Sequence, residues 1–334
     1  MGLAAVLLVG GCSGTSTPKR KDKPIPTAAL IPFKSTGNDL RDAAEYATDR
    51  ILAADKNTDV AQTYALVALA RATYYGWKDA KVKALIQQVE QRRNPDGGFG
   101  LGQESDTFGD GTFNPADDTY TITSTDHVGR LYLAAYRAGA IPKEWLVKLV
   151  DAVIKLPRIK DGTCVAYSMS KYDAVGPCVY NVVAGVAWFL TEARKAGIDR
   201  PGQDQLTAAM AATNKQKLDT ATGLWPYQST SKPGVLQDEP HNGTNMDALA
   251  VTDPALAKAA TQKRIAQWQK HHNLAPFAIA RVSVYDCAGL AGLGPYLVKE
   301  VQLPPARTNT RTLAQMAAFD ARADAVCTMH RPVF

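Results

Sequence analysis

The feature that most constrains the fold is a glycine-rich, aromatic-tipped turn that recurs along the chain and is followed each time by a loop and a helix. Its fullest copy is Asp96-Gly97-Gly98-Phe99-Gly100. Weaker copies run from Asp161 to Tyr167 and from Thr222 through Gly223, Trp225 and Tyr227, and a fainter one is Asn273-Leu274-Ala275-Pro276-Phe277. Such self-similarity marks an array of one supersecondary unit, because a single helix pair cannot bury its apolar face alone. The stretches after the turns, 117–139, 177–197, 239–253 and 283–300, are rich in small residues and suit close packing inside. Between them run 143–156, 202–218, 256–272 and 310–326, which are charged and amphipathic and suit an outer layer. Three further helical stretches, 39–56, 58–77 and 80–93, precede the first turn, with Asp39 and Thr58 at N-cap positions.

Composition agrees with an all-α fold. Apolar residues make up 46% of 334 residues, enough for a sizeable core, and β-branched runs are short. The net charge of +6 comes partly from Lys19-Arg20-Lys21-Asp22-Lys23, and the remaining basic residues are dispersed. No basic stripe carries interleaved aromatics, which argues against nucleic-acid binding.

The phrase Gln91, Asn94-Pro95-Asp96-Gly97-Gly98-Phe99-Gly100, followed by Thr119-Tyr120-Thr121 opening a helix, resembles the repeat of the prenyltransferase and squalene-cyclase superfamily. The resemblance covers roughly residues 39–330 and implies an α/α toroid: concentric inner and outer helices built from helix hairpins, with the functional cavity at one mouth of the inner ring. The acidic motif of class II terpene cyclases is incomplete here, since Pro115-Ala116-Asp117-Asp118 lacks its first aspartate, and no zinc site of the protein-prenyltransferase type is present. An isoprenoid cyclase-like enzyme is therefore a secondary expectation.

The first twelve residues, MGLAAVLLVGGC, resemble the end of a bacterial lipoprotein signal. That resemblance implies lipidation at Cys12, a flexible tether over residues 13–38 and a toroid domain over 39–334, anchored at the extracytoplasmic face of the membrane. The other cysteines, Cys164, Cys178, Cys287 and Cys327, are even in number and lack CxxC spacing, which suits disulfides in an exported protein. Three pairings are open; Cys164 with Cys178 and Cys287 with Cys327 is the simplest.

If the glycine-rich helices are inner, their N-termini bring together a polar ring suited to hydroxyl-rich or anionic ligands. Asp126, His127, Glu239, His241 and Asp286 are the catalytic candidates; Asp118, Tyr120, Tyr180, Asn181, Asn242, Asn245 and Tyr285 are the ligand-binding candidates. A lyase on uronic-acid polymers would use histidine, tyrosine and asparagine, whereas an inverting glycosidase would use two of Asp118, Asp126, Glu239 and Asp286. Several of these residues equally suit helix caps or a packing layer. Asp106, Asp110 and Asp117 offer oxygen ligands to Ca²⁺ without EF-hand spacing. The expected function is binding or processing of a glycan or small-molecule ligand by a monomer; a non-catalytic surface module is the alternative.

Overall fold

The computed structural model describes residues 31–53, 60–272, 274–303 and 310–331. Cys12, the signal-like segment and residues 13–30 lie outside these residues. Twelve α-helices are arranged in two layers among the described residues. Six are almost wholly buried or central: α2 (Ala61–Tyr75), α4 (Gly129–Arg137, entered through a π-wound segment Thr123–Val128), α6 (Tyr180–Lys195), α8 (Glu239–Thr252), α10 (Pro276–Ser283) and α12 (Thr310–Ala323). Each packs on the next, and α12 packs back on α2, so this inner ring closes. The outer helices are α1 (Asp39–Ala53), α3 (Ala80–Glu90), α5 (Lys143–Ile154), α7 (Gln203–Gln216), α9 (Pro254–His271) and α11 (Gly294–Val301). The protein is an α/α toroid.

The two layers follow from side-chain pattern. On α3 only Val82, Leu85, Ile86 and Val89 are buried, the i, i+3, i+4, i+7 stripe of a helix with one wet face. On α6 burial runs continuously from Tyr180 to Leu190, and Ala184, Gly185 and Ala187 let neighbouring backbones approach. A Cβ at Gly185 would stand 2.6 Å from Thr125 Oγ1 of the neighbouring inner segment, and one at Gly129 would meet the Phe189 ring at 2.7 Å.

Two assignments made from sequence are corrected. The stretch 310–326 is not outer: α12 is buried at Leu313, Ala314 and from Met316 through Ala323, and closes the ring. Its polar residues Asp320 and Arg322 gave it an amphipathic look, yet both are buried and face protein. The stretch 283–300 is not an inner helix either. The inner helix is the shorter α10 before it, and the chain then turns through a 3-10 segment, Cys287–Leu290, into outer α11. Gly292, at φ +74°, makes a continuous helix there unfavourable. The first cap also differs from expectation, since Asn38 Oδ1 accepts from Arg41 N–H, one residue before Asp39.

The chain docks before residue 39. Phe33 packs edge-on against Tyr46 at 5.3 Å, and the Asp42 carboxylate accepts from Thr36 N–H and from the Ser35 and Thr36 hydroxyls. The disulfides pair Cys164 with Cys178 and Cys287 with Cys327. The first ties a two-stranded hairpin, β1 (Arg158–Ile159) and β2 (Cys164–Val165), to the entry of α6; the second joins the end of α10 to the end of α12. No helix among the described residues is long and apolar enough to cross a membrane.

The recurrent turn is a docking device. Gly97, Gly162 and Gly223 all adopt positive φ, at 97°, 81° and 75°. A Cβ on Gly97 would stand 3.0 Å from Lys148 O of α5, and one on Gly223 would stand 2.8 Å from Ala260 O of α9. In both copies the turn therefore presses bare backbone onto an outer helix. Gly223→Ala is expected to lower the unfolding free energy by about 1–3 kcal/mol, from left-handed strain and backbone contact together. Denaturant titration checks this; a loss below about 0.5 kcal/mol would mean that the turn does not hold the layers together.

Candidate functional site

All inner helices start at one mouth of the toroid, and three of the loops there are long: 91–120, 155–179 and 217–238. The connections at the other end are short, as at 76–79, 138–142 and 196–202. Isolated β-bridges stitch the long loops into a collar, pairing Ser105 with Asn114, Tyr120 with Ser168, Val179 with Gln228 and Pro226 with Leu236. The collar is anchored on the helices by backbone bonds: Tyr120 N–H to Phe99 O at 2.9 Å, Thr121 N–H to Tyr167 O at 3.0 Å and Tyr180 N–H to Tyr227 O at 3.1 Å.

The ring axis carries a closed network of buried charge. Arg130 Nη2 donates to Asp126 Oδ1 and Asp247 Oδ2, each at 2.7 Å. Arg281 Nη2 reaches the same two atoms at 2.8 and 2.7 Å, and Arg322 Nη1 donates to Asp247 Oδ1 at 2.8 Å. The Tyr285 hydroxyl bonds Asp247 and accepts from Arg322 Nη2 at 3.0 Å. Trp188 lies 3.9 Å beneath the Arg130 guanidinium and Phe319 lies 4.4 Å from that of Arg281. Burial alone would push both aspartates up, but the guanidiniums override it and hold Asp126 and Asp247 well below the usual carboxylate range. Burial, opposed by Asp126 and reinforced by Arg311, Arg281 and Arg130, lowers His127 to about 3, so that imidazole is neutral.

This network decides the fate of several candidates. Asp126 and His127 are on an inner helix as expected, and at 2% and 3% exposure they are enclosed by other protein groups. Asn181, Asn242 and Asn245 are buried too; Asn245 donates to Gln237 Oε1, and Asn242 to Gly223 O at 3.4 Å. Tyr285 and Asp286 follow the C-terminus of α10, and not an inner-helix start; Asp286 accepts from Gln262 of α9 at 2.9 Å. The side chain of Glu239 lies outside the described residues. Tyr120 and Tyr180 do occupy equivalent places at inner-helix starts, both buried.

Two polar clusters belong to the mouth. In the first, Asn114 Nδ2 lies within 2.9–3.1 Å of Asp173 Oδ2, Thr107 Oγ1 and the Tyr120 hydroxyl, and Ser168 Oγ donates to Asp173 at 2.7 Å. Asp118 is buried beside it; burial pushes its carboxyl up to about 6, Ser168 opposes this, and the charges of Asp173 and Asp96 add to it. The second cluster is open to solvent. Asp238 caps α8 by accepting from His241 N–H at 3.2 Å, and its carboxylate also bonds His241 Nδ1. The imidazole packs edge-on against Tyr227 at 5.3 Å, and Lys217 Nζ lies 5.9 Å from the neighbouring Tyr180 ring. Their side chains are 36% exposed for His241 and 48% for Asp238. Burial works against charge on Asp238, and the bond from His241 outweighs it and holds its pKa down.

Asp238, Asp247, Arg130, Arg281 and Arg322 were not singled out from sequence. One signal existed: Arg130 is four residues after Asp126, a spacing that pairs charges on one helix face. In the acidic loop, Asp106 accepts from the N–H groups of Gly109, Asp110 and Gly111, and Asp110 from Thr112, so their oxygens bind the loop itself. No group of three or more His, Cys, Asp or Glu side chains among the described residues is placed to hold a metal ion.

Neither a protein-family model nor a curated protein matches the sequence. Solved structures share the fold at low identity. The type II terpene cyclase MstE from Scytonema, in complex with merosterolic acid A, is 13% identical, with a TM-score of 0.54 over 86% of this chain and 98% of its own. An alpha-amylase from Clostridium perfringens is 10% identical, with a TM-score of 0.52 over 78% and 85%. A sugar epimerase from a ruminal bacterium is 10% identical, with a TM-score of 0.50 over 79% and 87%. At such identities the likeness concerns the fold, which hosts many chemistries.

The raised Asp118 pKa gives a pH signature. The folded protein holds this proton more tightly than the unfolded chain, so the group's favourable contribution is complete below pH about 4 and is lost as pH rises toward 6. Asp118→Asn removes that loss. The stability of the variant relative to the parent is expected to rise by about 1–3 kcal/mol between pH 4 and 7; a pH-independent difference would contradict a buried, proton-holding Asp118.

Proposed function

We propose that this protein binds an acidic, uronate-containing polysaccharide at the rim between α6 and α8 and cleaves it by β-elimination. The observation that carries the reading is the solvent-exposed Asp238–His241 pair, packed against Tyr227, with Lys217 at the Tyr180 ring of the adjoining helix start. Asp238 on Nδ1 fixes the imidazole tautomer and stabilises its cation, leaving Nε2 to accept the proton α to the uronate carboxylate. Lys217 supplies positive charge for that carboxylate. The Tyr227 hydroxyl is the acid that protonates the departing glycosidic oxygen as the C–O bond breaks and the new double bond forms.

The carboxylates weigh against a glycosidase. Asp126 is locked between two arginines, Asp286 follows the end of α10 and is engaged by Gln262, and of the described candidates only Asp118 stands at an inner-helix start. An isoprenoid reading finds no support in an axis filled by charged side chains, despite the terpene cyclase among the structural neighbours. The alpha-amylase and the sugar epimerase on the same fold favour a carbohydrate. The lipoprotein-like start and the two disulfides support an exported protein anchored by lipid at the extracytoplasmic face. The same filled axis favours one competing reading, a surface module that holds a glycan without cleaving it.

The test is to incubate residues 31–334 with a panel of acidic polysaccharides while following absorbance of unsaturated uronides and melting temperature. Product from one polymer is expected, reduced at least about 100-fold in His241→Ala at unchanged melting temperature. A polymer that raises the melting temperature without yielding product would assign the module; no product and no shift with any polymer would overturn the glycan reading.

A further inference from the structure

Two of the collar loops are sewn together at the first polar cluster of the mouth. Loop 91–120 meets loop 155–179 through two backbone bonds at 3.0 Å, Thr121 N–H to Tyr167 O and Met169 N–H to Thr119 O. Asn114 crosses the same seam, its Nδ2 donating to Asp173 Oδ2 at 2.9 Å. Each loop also brings one buried carboxyl, since Asp118 is 6% exposed and Asp173 is 2% exposed.

The hydrogens at this seam can be counted. Ser168 Oγ has a single hydrogen and gives it to Asp173 Oδ2 at 2.7 Å. Ser168 also bonds the Asp118 carboxyl, and that bond closes only if Asp118 supplies a hydrogen of its own. The surroundings favour the same arrangement. Asp118 is faced by Ser168, by the carboxylates of Asp173 and Asp96 and by the Thr119 N–H; Asp173 is faced by Ser168, Asn114 and Asp110. Neither is paired with a cation among the described residues, and the Tyr120 phenol beside Asn114 keeps its proton. An ionised Asp118 would place charge on Oδ2, which has no hydrogen-bond partner, next to two other acids.

We propose that the Asp118 proton is a latch of the collar: with the proton in place Ser168 closes the two loops on each other, and its loss opens the seam between 105–121 and 166–173 as the medium turns from acid to neutral. The device acts on the mouth itself and stands whether or not the rim at His241 cleaves a glycan. The open seam exposes Asp118 to water, where a carboxyl titrates near 4, whereas the closed seam holds it to about 6. Opening therefore becomes easier as pH rises between these values and no easier above them.

Hydrogen exchange of the intact protein, compared at equal intrinsic exchange, provides the readout. Protection of the Asn114, Thr121 and Met169 amides is expected to fall about 10-fold from pH about 5 to pH about 7 and to level off above. The Asp219 and Gln237 amides, bonded within loop 217–238, are expected to keep theirs. In Asp118→Asn the seam is expected to be equally protected at both pH values. Equal protection of the parent seam at both values, a fall that continues above pH about 7, a fall shared by Asp219 and Gln237, or one that survives in Asp118→Asn would overturn the proposal. The first three outcomes are read on the parent alone, so the decision does not depend on the variant folding.

Discussion

The toroid depends on the two aspartates at its centre. Asp247 of α8 is bonded by arginines of α4, α10 and α12, and Asp126 by two of the same three, so this one cluster joins four of the six inner helices. Ionised side chains tolerate such burial only when each is paired, which makes the arrangement all-or-none. Apolar packing drives the layers together, but it is indifferent to rotation of an alanine-rich helix about its axis. The ion pairs select one rotation for each helix and thereby fix which residues reach the mouth.

That choice separates structure from chemistry in space. The axis is occupied by ion-paired protein groups, and the exposed polar chemistry is displaced to the collar, where the loops 91–120, 155–179 and 217–238 are long. There Asp238 both caps α8 and orients His241, so a residue that starts the helix also sets the tautomer of the imidazole beside it. The Cys164–Cys178 bridge and the backbone bonds between successive loops hold the collar against the helix starts. A rim held this way presents groups in fixed positions.

Much of the fold was legible in the sequence. The recurrent glycine turn announced the repeat, since only glycine accepts the positive φ found at Gly97, Gly162 and Gly223 without strain. The inner helices at 177–197 and 239–253 were readable from their small residues. The ends of the repeat were not. Asp320 and Arg322 imitate a solvated face because periodicity cannot tell water from a buried counter-charge, and α10 is too short for its period to stand out. The site was legible by residue type and not by role. Asp126 and His127 were rightly placed on an inner helix, yet their partners Arg281 and Asp247 come from other repeats, which no local pattern connects. His241 was singled out from the sequence; its partner Asp238 was not, because the helical stretch was read from Glu239 and the cap precedes it.

The measurement that tests the central claim most directly is the unfolding free energy of Asp247→Asn against the parent protein, at low and at high salt. Three buried guanidiniums would lose their shared carboxylate, so a loss of about 3–5 kcal/mol is expected, little changed by salt because the pairs are shielded from solvent. A loss below about 1 kcal/mol, or one that salt abolishes, would contradict a fold organised around the buried network.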